Sequence, residues 1–368
     1  VQEKNGDVVI TNPHSGSTSK RACPEHLTKN DFLKQLIEAQ QLAGFRPFDA
    51  FVAEASAKED AIKSAHAIDI FATPGVETTF SDGQLKKWVL GLGSYGLETV
   101  GLAAVFADKR FSDAEHLICI MNFRSDSLSA TMRELAAQPT VTKLKTLAIL
   151  ESSDANTPEY NPGEISSDAA IWEQCTALET LVLDMVKMTG SNTIELPNLK
   201  RLSWVSPWPE AQAMKPLLEA PRPSLEVLAL DFCTTLISDA PVYHSEQFTA
   251  LMAGGYPNLK ELHLTSIDFT DEFLERLLSS AMIKNLEVLN IANNNLTSRS
   301  LELLIDAQEQ LSSIRMLRLN DQTDNNDNPA LEAIEPALYD NLKESFKNVE
   351  VKLELIGCWG PHQIDGLG

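Results

Sequence analysis

Residues 259 to 305 read LKELHLTSIDFTDEFLERLLSSAMIKNLEVLNIANNNLTSRSLELLI. One unit occurs twice in this stretch. Leu259, Leu262 and Leu264 are followed 27 residues later by Leu286, Leu289 and Ile291. Behind each triplet comes an apolar-Thr pair, Phe269-Thr270 and then Leu296-Thr297. Behind each pair comes a helical spacing: Leu274, Leu277 and Leu278, then Leu301, Leu304 and Ile305. In L-x-x-L-x-L the fourth and sixth side chains share one face of an extended segment, and the first lies at its entry. A strand, a turn and a helix in tandem cannot bury their own leucines, so neighbouring units must do it. Each buried leucine contributes roughly 1.5–3 kcal/mol.

The triplet recurs outward from this pair. It is met at Leu144, Leu147 and Ile149; at Leu178, Leu181 and Leu183; and at Leu199, Leu202 and Trp204. It is met again at Leu225, Leu228 and Leu230, and at Ile314, Leu317 and Leu319. First residues are separated by 34, 21, 26, 34, 27 and 28 positions, so the connections vary while the strands keep register. The short unit from Leu178 has no room for a full helix. The unit from Leu144 carries a polar insertion, residues 151 to 164, and its helix starts near Ser167 with Ile171, Trp172 and Cys175 facing in. Pro216 shortens or kinks the helix after Trp208. A strand near Val349 to Leu355 closes the array.

Upstream the pattern fades. Gln84 to Leu92 can form a helix, and Leu97, Val100 and Leu102 match the strand triplet. Periodicity leaves Leu117 to Asn122 open between strand and helix. Ser127 to Ala137 reads as a helix. Residues 1 to 81 are expected to form an N-terminal segment and mostly helical cap. The first 27 are polar and loose apart from a strand-like Val8-Val9-Ile10. A helix follows from Lys29 to Leu42, with Asn30 as N-cap and Gly44 as stop. Residues 48 to 71 then shield the first repeat. Residues 82 to 368 form the repeat domain, clearest over 140 to 320.

At 368 residues the chain is too long for one ordinary core, and suits two domains or one array that grows by stacking. With 43% hydrophobic and 22% charged residues it is expected to be globular. A net charge of −22 disfavours nucleic acid and anionic membrane and suits a basic protein partner. The five cysteines are odd in number and form no C-x-x-C pair, which argues against a disulfide framework or a zinc site. No apolar leader or span is visible, so a cytoplasmic protein is expected. The chain opens on Val1 rather than Met, which leaves a removed signal open.

These units resemble leucine-rich-repeat proteins of the ribonuclease-inhibitor type and, in their irregularity, the cytoplasmic repeat proteins of bacteria. The longer motif L-x-x-L-x-L-x-x-N/C-x-L is matched from Leu286 through Asn294 and Leu296, and nearly from Leu225 through Cys233. The resemblance implies a turn stitched by that Asn or Cys. It further implies an α/β solenoid, or horseshoe, with a parallel sheet on its concave face and helices and loops on its convex face. Its expected function is protein recognition through the concave face. Elsewhere the Asn/Cys position holds Ser152, Val186, Pro207, Ile267 or Gln322, so that ladder is broken.

Other motifs carry less. Gly91-Leu92-Gly93-Ser94-Tyr95-Gly96 matches G-x-G-x-x-G, which would support a nucleotide-linked enzyme, with Asp108 or Asp126 as the ribose acid. Too few residues follow for the remaining strands, and no cofactor is expected. Asp321 to Glu332 has the end acids of a calcium loop but Asn326 where glycine is needed, so no metal is expected. Cys233 reads as a structural thiol, and Cys358 with His362 lacks a third catalytic member.

The outward x positions are the functional candidates. One row runs Ala148, Val182, Ser203, Ala229, His263, Asn290, Arg318; its neighbour runs Thr146, Thr180, Arg201, Val227, Glu261, Val288, Met316. The first half is an apolar stripe and the second is polar, which suggests a docking surface. The candidate partner-binding set is Arg201, Ser203, Trp208, Glu261, His263, Asn290 and Arg318. Trp208 would be an anchor. A scaffold, inhibitor or recognition subunit is expected rather than an enzyme, and the oligomeric state is left open.

Overall fold

The computed structural model describes residues 2–4, 7–11, 18–21, 76–81, 84–92, 105–106, 108–121, 127–151, 163–206, 209, 211–232, 248–253, 255–267, 270–294, 296–320 and 334–354. The chain divides into two units, Val1–Asp69 and Ile70–Gly368. The first holds three strands, β1 (Gln2–Lys4), β2 (Asp7–Thr11) and β3 (Thr18–Arg21), in an antiparallel sheet of that order. Val8-Val9-Ile10 lies in β2. Its pairing with β1 and β3 extends the strand-like reading to both neighbours. The helix at Lys29 to Leu42 and the segment 48 to 71 lie outside the described residues.

The second unit is built on one sheet. Its strands are β4 (Val76–Ser81), β5 (Gln84–Leu92), β6 (His116–Met121), β7 (Thr146–Glu151), β8 (Gly163–Ser166), β9 (Thr180–Leu183), β10 (Val186–Thr189) and β11 (Arg201–Val205), then β12 (Val227–Asp231), β13 (Glu261–Thr265), β14 (Val288–Asn290), β15 (Met316–Asn320) and β16 (Glu350–Glu354). β8 and β10 pair with each other; all the rest form one sheet in chain order. Its ten strands from β5 to β16 are parallel, and β4 closes the β5 end as an antiparallel hairpin. The sheet thus begins before residue 82. Between strands lie helices α1 (Ser127–Ala136), α2 (Ile171–Gln174), α3 (Ala211–Leu218), α4 (Thr249–Met252), α5 (Asp271–Leu278), α6 (Ser298–Asp306) and α7 (Pro336–Ser345). The fold is mixed α/β and repeat-like, a wide parallel sheet with short helical connections.

The triplets behave as their spacing demands. The second and third apolar residues of each fall inside or at the end of a strand, except Ile291, which lies one residue past β14, and all seven triplets are buried in one core cluster. Trp204 takes a leucine's place by donating from Nε1 to the Val186 carbonyl at 2.8 Å and packing edge-on to Phe232. Between β9 and β11 there is no helix, only the short β10, as the 21-residue spacing required. α2 is a single turn with Ile171, Trp172 and Cys175 buried. α3 runs through Pro216 to Leu218 rather than breaking at it, and is only eight residues long.

Two early expectations change. Gln84 to Leu92 is a strand, not a helix. Trp88 and Leu90 are fully buried while Val89 between them is half-buried, a period of two rather than 3.6. Leu117 to Asn122 resolves as β6 through Met121, and β5 pairs with it directly. The triplet read at Leu97, Val100 and Leu102 lies outside the described residues. The working triplet of this unit is Ala114, Leu117 and Cys119, all fully buried.

Three of the turns behind the strands share one backbone solution. Met185, Ser266 and Asn293 each sit two residues past the third apolar position, and each has positive φ, 55°, 53° and 57°. The residue that follows points inward and is buried: Val186, Ile267 and Asn294. Asn294 stitches two units together. Its Nδ2 donates to the carbonyls of Leu264 (2.7 Å), Ile291 (2.8 Å) and Ala292 (3.2 Å), and its Oδ1 accepts from the Ile267 N–H (2.8 Å). Asn320 repeats the theme one strand on, accepting from the Asn293 N–H and donating to the Asn294 carbonyl at 2.7 Å.

Candidate functional site

The register sets the x positions side by side as the spacing implied. Ala148, Val182, Ser203, Ala229, His263, Asn290, Arg318 and Lys352 are successive partners across the sheet from β7 to β16. Thr146, Thr180, Arg201, Val227, Glu261, Val288, Met316 and Glu350 form the adjacent row. Ala148, Val182, Ala229 and Val288 are buried, yet none belongs to the core cluster that holds the leucines. They occupy the other face of the sheet.

This corrects the apolar stripe. Ala148 is 0% exposed, Val182 4% and Ala229 8%, so the stripe is a floor rather than a raised surface. Strands stand about 4.8 Å apart, and a short side chain between longer neighbours is closed off from solvent. Ser203 is likewise buried at 1%, with its hydroxyl lacking a hydrogen-bond partner. Asn290 is 8% exposed. Arg201, Glu261, His263 and Arg318 are half-buried and present their side chains at this face. Trp208 lies outside the described residues.

Glu261 and His263 are brought together, and Asn290 joins them. His263 Nε2 stands 3.7 Å from Glu261 Oε2, and Asn290 Nδ2 lies 3.4 Å from His263 Nδ1. Asn290 Oδ1 in turn accepts from the Ala292 N–H at 3.1 Å. These contacts fit an imidazole with its proton on Nε2. Arg315, absent from the candidate set, donates through Nη2 to Glu261 Oε1 at 3.4 Å and through Nε to Glu287 Oε2 at 3.4 Å. The Glu261 carboxyl is held below its ordinary value, first by the His263 hydrogen bond and then by the charges of His263, Arg201 and Arg315, against the opposing effect of burial. Both imidazole nitrogens are engaged, and the carboxylate is shared between the imidazole and the Arg315 guanidinium.

A second arrangement lies at the strand entries. The first x of each triplet supplies it: Lys86, Glu115, Lys145, Glu179, Lys200, Glu226, Lys260, Glu287 and Arg315 stand at successive parallel strands with alternating sign. Backbone bonds fix the rungs. Glu179 O, for example, accepts from both Lys200 N (2.8 Å) and Arg201 N (3.0 Å), and the same fork recurs along the sheet. Lys86 and Lys145 both bind Glu115; Lys200 meets Glu179 at 2.8 Å, Lys260 meets Glu226 at 3.7 Å, and Arg315 meets Glu287 at 3.4 Å.

The remaining motifs sit as follows. Gly91 is inside β5, paired with Ile120 of β6, so the first glycine of the dinucleotide-like run belongs to the sheet and not to a tight turn. Gly93 and Gly96, Cys233, the 321 to 332 loop, Cys358 and His362 lie outside the described residues. Among the described residues no group of three or more His, Cys, Asp or Glu could hold a metal ion. Among them, too, no helix is long and apolar enough to cross a membrane.

No protein-family profile matches the chain, and no curated protein sequence matches it. Solved structures do. One, a Bacteroides fragilis protein determined by a structural genomics consortium, is similar over 97% of this chain and 93% of its own, with a TM-score of 0.54 and 14% identity. At that identity the likeness concerns the fold alone.

Proposed function

We propose that the chain is a leucine-rich-repeat protein of the ribonuclease-inhibitor type that recognises a protein partner across the x face of its sheet. The observation that carries this is the division between the two faces. All seven leucine triplets enter one core, whereas the x rows stay out of it and end in a half-buried charged cluster. The contact set is Arg201, Glu261, His263 and Arg318, joined by Arg315. Ser203, with Ala148, Val182 and Ala229, forms the floor beside it, and Asn290 positions His263. A partner that is basic overall suits the chain's net charge of −22, and at this face it would offer acidic groups to Arg201, His263 and Arg318. The proposed compartment is the cytoplasm. In support, Cys119 and Cys175 are buried free thiols, whose pKa burial pushes up to about 12.

The test is capture of partners by the tagged chain and by a variant with Arg201, His263 and Arg318 all changed to Glu. Loss of a captured protein, with the melting temperature retained, is the expected result. An unchanged captured set would place recognition elsewhere.

A further inference from the structure

We propose that the alternating charges at the strand entries act together as an ordering device, which dictates which strand may stand beside which. Three shared side chains already suggest more than isolated pairs. Glu115 is shared by the rungs on both sides, Lys86 and Lys145. Glu179 binds Lys200 on one side, and on the other its charge reaches Lys145, whose ammonium is held protonated chiefly by Glu115 and to a lesser extent by Glu179. Arg315 reaches Glu287 on the next strand and Glu261 two strands away. Rung side chains are half-exposed, 39% for Glu179 and 53% for Lys200, so each attraction taken singly is heavily screened and contributes little. What the pattern provides is a penalty. A strand that changes places with its neighbour meets a charge of its own sign on its outer side, and like charges on neighbouring strands are destabilising.

The backbone makes this discrimination strict. Because the carbonyls of the seven internal rungs, Glu115 to Glu287, each accept from two N–H groups of the next strand, their side chains cannot slide past one another without breaking both bonds. Leucine triplets look alike from unit to unit and cannot themselves distinguish one neighbour from another. The rungs can, because every one differs in sign from both of its neighbours.

Exchanging two adjacent rungs separates this reading from one of independent ion pairs. The double variant Glu179→Lys with Lys200→Glu keeps one opposite-charge pair between these two rungs and leaves the net charge unchanged. It nevertheless sets a lysine at position 179 beside Lys145 and a glutamate at position 200 beside Glu226. Thermal unfolding of the full chain should be compared at low and high salt with wild type and with Glu179→Gln/Lys200→Gln. The Debye length is about 30 Å at 0.01 M and about 3 Å at 1 M, so it spans several rungs in the first case and less than one in the second. The expected result is a melting temperature for the exchanged variant several degrees below both others at low salt, converging on them at high salt. An exchanged variant that melts with wild type at low salt overturns the proposal, because pairing alone would then suffice. A deficit that persists unchanged in high salt also overturns it, because its origin would be packing and not charge.

Discussion

Replacing Asn294 by alanine removes a side chain that serves backbone groups in two adjacent units. The Ile267 N–H and the Leu264 carbonyl lie in the unit before it, and Ile291 and Ala292 supply carbonyls from its own. Asn294 is 1% exposed, so water does not replace it without opening the turn. Counting only the two groups of the preceding unit, at about 1–3 kcal/mol for each buried group left unsatisfied, the loss is about 2–6 kcal/mol. Asn294→Asp should not rescue it. A carboxylate keeps the acceptor for Ile267 but faces three carbonyl oxygens that it cannot donate to. Urea unfolding, followed by circular dichroism, reads the effect directly. The loss should appear as a lower midpoint and, since neighbouring units hold each other up, as a broader transition. A change below about 1 kcal/mol, or an aspartate variant as stable as wild type, would refute the idea that this side chain joins the units.

Two further outcomes follow from other buried or paired charges. The Glu115 carboxyl is held down from its ordinary 4.5 to about 2, chiefly by hydrogen bonds from Lys145 and then Lys86. A depressed carboxylate stabilises the fold above its unfolded pKa and ceases to do so as pH falls through the folded value. The melting difference between wild type and Glu115→Gln should therefore shrink between pH 4.5 and about 2; a constant difference would disprove the assignment. Arg222 is buried and, among the described residues, donates only to carbonyls, Nε to Leu217 (3.0 Å) and Nη2 to Ile194 and Leu217 (2.9 Å each). Arg222→Lys should lose about 2–4 kcal/mol in urea unfolding, because one ammonium cannot span the fork and the carbonyls remain buried. A lysine variant matching wild type would sink this account.

The parts of the fold legible in the sequence were those written in leucine. Each clear triplet became a strand, the x rows aligned in the expected register, and Thr270 and Thr297 cap α5 and α6. The unit at Ala114, Leu117 and Cys119 is hidden because a small side chain and a thiol fill positions that leucine fills elsewhere. β5 resembles a helix because Leu85, Trp88 and Leu92 also fit helical spacing, and only the burial of Leu90 separates the two. At the site, Glu261 and His263 were readable as neighbours because they lie two apart on one strand. The partnership with Arg315 was not, because Arg315 occupies a different x position two strands away. The charge ladder is present in the sequence throughout, in the first x of every triplet. No single unit reveals it, because alternation shows only when the units are stacked.

That ladder has a bearing on how the array can change in length. Its nine rungs begin with Lys86 and end with Arg315. Excising one internal strand with its connection would join two rungs of equal sign, whereas excising two in succession would leave the alternation intact. The backbone repeats with every unit, but the electrostatic lattice repeats with every second one. By this parity, growth or shortening within the array is favoured in even steps, and a lone duplicated unit carries a mismatch at its seam until a further charge change repairs it.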